Sequence, residues 1–231
     1  MNVPPKRQRI LLNEKTPFAM VEAFKELRTN VMFSLPGTGC KCVGVTSPTP
    51  GDGKSTTAAN LAISLAQIGK RVILIDCDMR LPTVAENFRI QAIPGLSDFL
   101  VGQARIEDTV RQVEAYKLSV LPAGNLPPDP TGLLEDKQME HLFTAFRNIY
   151  DFVIVDLPPV NAVSDASILS KYIDGFLLVV RNRRTRHRNV EDMLRQLRLT
   201  DSKIIGFTTV GGELAAKKFY KNKYANYGKT P

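Results

Sequence analysis

The chain has 231 residues, of which 43% are hydrophobic and 23% charged; this balance suits one globular domain with a real core and excludes a disordered or fibrous chain. No apolar run approaches the roughly 20 residues of a membrane-spanning helix, and the polar start Met1–Arg9 lacks the apolar stretch of a secretory signal, so a cytoplasmic protein is expected. The net charge of +8 asks for acidic partners, but no helix-turn-helix or aromatic-interleaved basic surface accompanies it, and nucleic acid is not expected.

In chain order, residues 1–17 read as an N-terminal arm. A helix is expected from Phe18 onward, where Phe18, Val21, Phe24, Leu27 and Val31 form an apolar stripe and Glu22, Lys25 and Arg28 a charged one. Short β-rich runs follow at Cys42–Thr46, Val72–Ile75, Leu118–Leu121, Phe152–Val155, Phe176–Val180 and Ile204–Thr209. Helical spacing separates them at Thr56–Ile68, Asp136–Asn148, Ser164–Lys171 and Asn189–Leu199. Apolar strands joined by helix-length crossovers predict a mostly parallel sheet covered on both faces, an α/β doubly wound fold in a single domain over residues 18–212. Pro127-Pro128-Asp129-Pro130 reads as a rigid surface turn within it. Residues 213–231 read as a mobile polar tail bearing Tyr220, Tyr224 and Tyr227. Cys40, Cys42 and Cys77 have no second Cys/His pair and read as structural or incidental.

The strongest local signal lies between the first strand and the following helix, in Pro48-Thr49-Pro50-Gly51-Asp52-Gly53-Lys54-Ser55-Thr56. Glycines there let successive N–H groups converge on phosphate oxygens, and the helix N-terminus adds its partial positive charge. Pro50 to Thr56 are therefore the expected nucleotide cradle, with Lys54 on the β- and γ-phosphates and the Ser55 hydroxyl on Mg²⁺. A strict phosphate-loop pattern wants glycine where Pro48 stands. Two more strand ends carry carboxylates: Val72–Ile75 runs into Asp76 and Asp78, and Phe152–Val155 into Asp156. In a parallel sheet these ends share one rim, and carboxylates beside a triphosphate call for a hard cation such as Mg²⁺. Taken singly, each aspartate could also be a helix cap or turn former. ATP and Mg²⁺ are the expected cofactors.

These segments resemble the bacterial tyrosine kinases of capsule and exopolysaccharide assembly (BY-kinases), which have the P-loop NTPase fold. The resemblance spans nearly the whole chain: E-A-F-K-E-L-R-T-N from Glu22 to Asn30, the P-G-D-G-K-S-T loop, and I-D-C-D-M-R-L-P, which looks like the Walker A′ motif. It continues through G-L-S-D-F-L, L-P-A-G-N-L-P-P-D-P, and D-L-P-P-V at Asp156, which looks like Walker B, to the tyrosine-bearing tail. It implies ATP- and Mg-dependent autophosphorylation at Tyr220, Tyr224 and Tyr227. Asp76 would be the base, Lys54 and Asp78 would join it in catalysis, and Ser55, Asp78 and Asp156 would hold the metal. Glu22, Lys25 and Arg28 would join subunits into a ring, although Lys25 cannot form the bidentate fork of the arginine the family carries there. The resemblance further implies a membrane-embedded activator whose cytoplasmic tail holds the chain at the inner face of the membrane, a cognate tyrosine phosphatase, and other protein-tyrosine substrates.

Departures from the family are Leu81, where a basic residue is frequent, and Val210-Gly211-Gly212 in place of an asparagine-bearing strand end. The alternatives are a catalytically weak nucleotide-binding scaffold and a ParA/MinD-like ATPase switch. The switch proteins carry an extra lysine at the place of Thr49. The basic run Arg181–Arg188 reads as a solvated face, or as a surface that docks the activator tail or lies near the bilayer.

Overall fold

The structure, a computed structural model, describes residues 11–211. In chain order its helices and strands are α1 (Phe18–Ser34), β1 (Lys41–Thr46), α2 (Lys54–Ala66), β2 (Val72–Asp76), α3 (Val84–Phe88), α4 (Leu96–Leu100), α5 (Ile106–Thr109), β3 (Arg111–Val113), β4 (Leu118–Leu121), α6 (Pro130–Glu135), α7 (Lys137–Ile149), β5 (Phe152–Asp156), α8 (Asp165–Leu169), β6 (Gly175–Arg181), α9 (His187–Leu199) and β7 (Ile204–Val210). The strands form one sheet in the order β3-β4-β2-β5-β1-β6-β7. All neighbours are parallel except β3, which pairs antiparallel with β4 at one edge.

Alternation along each strand divides the interior in two. Ile73, Ile75, Val153, Val155, Phe176 and Leu178 face one side, under α4 and α6–α9. Val43, Val45, Leu74, Ile154, Leu177 and Val179 face the other, under α1–α3. Both faces are covered, which is why the central strands carry no polar alternation. α2 lies between α1 and the sheet and is buried nearly all round, its alanines allowing close approach. α7 instead buries one stripe, Met139, Leu142, Phe143 and Phe146.

The expected elements are present with shifted ends, and others were not anticipated. α2 begins at Lys54 rather than Thr56, which puts the lysine in the first helical turn. The helix expected over Ser164–Lys171 ends at Leu169 and continues as a 3₁₀ turn, Ser170–Tyr172. Pro130 opens α6, where the Asp129 carboxylate accepts the Gly132 N–H at 3.0 Å, so the proline turn is a helix start. At the described end of the arm, Leu11 and Leu12 are buried and the Leu12 N–H donates to Asn60 Oδ1 at 2.7 Å. Those two residues belong to the core, because burying two leucines outweighs leaving them in water. The tail 213–231, with its three tyrosines, lies outside the described residues.

Tyr116, Tyr150 and Tyr172 sit against Phe88, Phe146 and Phe143 respectively, as packing residues. Cys42 and Cys77 are buried and Cys40 half-buried, all as free thiols. Burial pushes the Cys40 thiol up to about 11.

Candidate nucleotide site

The sheet order puts the carboxyl ends of β1, β5 and β2 side by side at the centre of one rim. Register does the rest: Val45 pairs with Asp156, and Asp156 with Asp76. The loop between β1 and α2 crosses this point. Gly51 (φ 79°) and Gly53 (φ 102°) both take left-handed conformations that favour glycine. A Cβ at Gly53 would also crowd Val210 Cγ1, at 3.3 Å, so the valine would have to give way. Asp52 is buried and braces the loop from within, its Oδ2 accepting from Thr49 N (3.2 Å) and Thr49 Oγ1 (2.7 Å). The contribution of Gly51 to Gly53 to an anion therefore runs through backbone N–H groups, with those of Lys54, Ser55 and Thr56 lacking intrahelical acceptors at the start of α2.

Lys54 is 6% exposed. Its Nζ lies 2.8 Å from Asp78 Oδ2 and 3.3 Å from Asp156 Oδ1, and donates to Ser55 Oγ at 3.1 Å. One ammonium thus touches the three side chains expected to hold the metal. Burial works to discharge it, but Asp156 and Asp78 outweigh burial and hold its pKa above the ordinary lysine value. A single cation cannot neutralise three buried carboxylates. Asp156 is accordingly raised, first by burial, despite Lys54 and a Ser55 hydrogen bond. Asp76 is raised to about 7, by burial first and by the Asp156 charge second, against the opposing Val84 N–H and Lys54.

Asp76 also fixes local backbone: its Oδ2 accepts from Thr83 N (3.1 Å) and Val84 N (3.0 Å) at the start of α3, and its Oδ1 from Asp78 N (3.2 Å). Asp78 Oδ1 accepts the Leu81 N–H at 3.0 Å, leaving Oδ2 to Lys54. Leu81 itself is largely exposed.

Asp156 Oδ2 is buried with no hydrogen-bond partner among the described residues, which leaves a hard oxygen able to take a cation. No three His, Cys, Asp or Glu side chains converge on a self-sufficient metal site among those residues. Two carboxylates and a hydroxyl nonetheless fit Mg²⁺, which commonly completes its octahedron with phosphates and water.

Sequence reasoning missed several contacts at this rim. Arg181 Nη1 donates to Gly51 O, and Arg184 to Gly51 O (3.3 Å) and Pro50 O (3.2 Å), across 130 to 134 positions. Arg80 reaches Thr131 Oγ1 (2.8 Å) and lies 3.5 Å from buried Asp165, tying the segment after β2 to α6 and α8. The only hint of the first contact was the basic run itself. On α1, Glu22 and Lys25 pair at 2.8 Å, while Arg28 Nη1 turns to Ser64 O at 2.8 Å on α2. The structure therefore separates Arg28 from the other two.

Residues 40–204 match a protein-family model described as an AAA domain. The chain is 36% identical over 209 residues to tyrosine-protein kinase CpsD of Streptococcus agalactiae, with 90% of each covered. It is 38% identical over 207 residues to tyrosine-protein kinase YwqD of Bacillus subtilis, covering 90% of this chain and 84% of that one. Among solved structures, the kinase domain of Escherichia coli tyrosine kinase ETK superposes with a TM-score of 0.80 at 29% identity, covering 90% of this chain and 84% of that one.

Proposed function

Because this chain belongs to the bacterial tyrosine-protein kinase family, we propose that its tyrosine-kinase site acts on its own C-terminal tyrosines, Tyr220, Tyr224 and Tyr227, chiefly between subunits and in the service of exopolysaccharide synthesis. The observation that carries the reading is the Lys54 ammonium held by Asp78 and Asp156 directly beneath a glycine loop, with Asp76 in register beside them. Phosphoryl transfer needs positioning and charge neutralisation above all, and this rim supplies both.

Lys54 exchanges its carboxylate partners for β- and γ-phosphate oxygens when ATP enters. Loop N–H groups from Gly51 to Thr56 hold the remaining phosphate oxygens. Ser55, Asp78 and Asp156 would hold Mg²⁺, which supplies the charge that a triphosphate beside carboxylates requires. A tail tyrosine Oη forms the new bond to the γ-phosphorus as the bond to the β–γ bridging oxygen breaks, and ADP leaves. The phenolic proton passes to the Asp76 carboxylate, whose burial raises its affinity for a proton.

Subunits would meet through α1, where Glu22 and Lys25 are paired and partly exposed. A membrane-embedded activator would bring the chain to the bilayer, a tyrosine phosphatase would reverse the modification, and other proteins could be substrates. No helix among the described residues is long and apolar enough to cross a membrane. The ATPase-switch alternative is weakened by Thr49, which uses its N–H and hydroxyl on Asp52 and brings no charge to the loop.

A mixing experiment tests the transfer between subunits. Lys54→Met protein with an intact tail is incubated with ATP, Mg²⁺ and a catalytically intact chain whose three tail tyrosines are phenylalanine. Phosphate should appear on the Lys54→Met chain. Its absence, when wild-type protein labels normally, would restrict transfer to one subunit.

A further inference from the structure

The basic run Arg181–Arg188 begins on the last residue of β6, and its first turn is closed by hydrogen bonds of its own. Arg184 N and Thr185 N both donate to Arg181 O, at 3.2 and 2.9 Å, and Arg181 N donates to Thr185 Oγ1 at 2.8 Å. Arg183 at the turn takes φ 60°. This turn presents two guanidinium groups to the outside of the phosphate loop. Arg181 Nη1 reaches Gly51 O at 2.5 Å, while Arg184 Nη1 and Nη2 reach Gly51 O and Pro50 O at 3.3 and 3.2 Å. Arg184 lies so close to the loop that a Cβ on Gly51 would stand 3.1 Å from its Nη1.

We propose that Arg181 and Arg184 are positioning residues for the nucleotide phosphates, acting through the peptide units Pro50–Gly51 and Gly51–Asp52. A loop that turns its N–H groups inward to an anion must turn carbonyls outward. The two outward carbonyls here each meet a full positive charge. A cation on a carbonyl oxygen polarises that peptide, so the N–H on its other end becomes a stronger donor. The N–H groups concerned are those of Gly51 and Asp52. The same contacts fix Gly51 in its left-handed conformation before any ligand arrives, which reduces the ordering cost of binding. The function of the basic run thus begins at the phosphate site, 130 residues away in sequence from Gly51. The proposal rests on nucleotide binding at this loop and extends it.

The test measures binding of a fluorescent ATP analogue to wild type, Arg181→Ala, Arg184→Ala, the double variant and Arg184→Lys, with Lys54→Met as the control for the loop itself. Charge-assisted hydrogen bonds of this kind predict a rise in Kd of about tenfold for each alanine variant, partly restored in Arg184→Lys. KM for ATP should rise by more than kcat falls. In a ¹⁵N–¹H spectrum of the nucleotide-free protein, the Gly51 and Asp52 amide protons should move upfield in the alanine variants, with distant amides unmoved. Kd and KM equal to wild type in the double variant would overturn the proposal. Failure of wild type itself to bind the analogue would instead overturn nucleotide binding at the loop.

Discussion

Lys54–Asp78 and Lys25–Glu22 are lysine–carboxylate pairs with the same 2.8 Å separation. The first is buried, with side chains 8% and 5% exposed, and the second lies on the surface of α1, with side chains 48% and 31% exposed. On α1, water and salt screen the pair, and its contribution is a few tenths of a kcal/mol. At the sheet rim, Lys54 is the counter-charge for carboxylates that cannot be hydrated, and removing it strands them. Distance alone would rank the pairs equal. Burial makes one the counter-charge of the candidate site and the other a solvated contact.

Replacing Lys54 by methionine should break the comparison most severely. Tyrosine labelling should fall by at least about 10²–10³-fold, and the nucleotide-free fold should lose about 3–5 kcal/mol at pH 8, measured by urea unfolding. The stability loss should shrink at pH 5.5 as the stranded carboxylates take up protons. Asp76→Asn comes next, lowering labelling by about 10²–10⁴-fold in a phosphopeptide assay.

Asp76 also predicts a pH dependence. Its folded pKa is about 7 against the usual 3.8, so the folded state binds the extra proton between those values. Stability from this group is therefore fully present below pH 3.8 and lost as pH rises through 7. In Mg²⁺-free buffer the melting temperature of wild type should fall between pH 6 and pH 8 more steeply than that of Asp76→Asn.

Arg28→Ala, which removes the hydrogen bond to Ser64 O, should cost about 1 kcal/mol in the same urea experiment. Lys25→Ala should cost no more than about 0.5 kcal/mol. A larger effect of Lys25→Ala on the size distribution in solution than on unfolding would assign the α1 pair to subunit contact.

What could be read from sequence follows the same division. The apolar runs of β2, β5 and β6 announced themselves because parallel strands buried on both faces keep no polar residues in step. β3 did not, since Arg111-Gln112-Val113 is a short edge strand whose pairing with β4 is set by register rather than composition. The five-residue helices α3 and α4 were too short to show a helical period. Asp76, Asp78 and Asp156 stood out because they close apolar runs whose ends the parallel sheet gathers, and Lys54 and Ser55 because a glycine loop joins a strand to a helix there. Arg181 and Arg184 on the loop, and Arg28 on Ser64, were illegible for the opposite reason. They depend on where a long side chain lands after the fold has closed, and no local pattern encodes that.

The central claim is that this buried cluster is the donor half of a tyrosine kinase acting on the chain's own tail. Wild type and Lys54→Met should be incubated with ATP, Mg²⁺ and the cytoplasmic tail of the membrane activator, and their phosphopeptides mapped. The account predicts phosphate on Tyr220, Tyr224 or Tyr227 of the wild type and none on Lys54→Met. Robust ATP hydrolysis by the wild type with no phosphotyrosine would contradict it and favour the nucleotide switch.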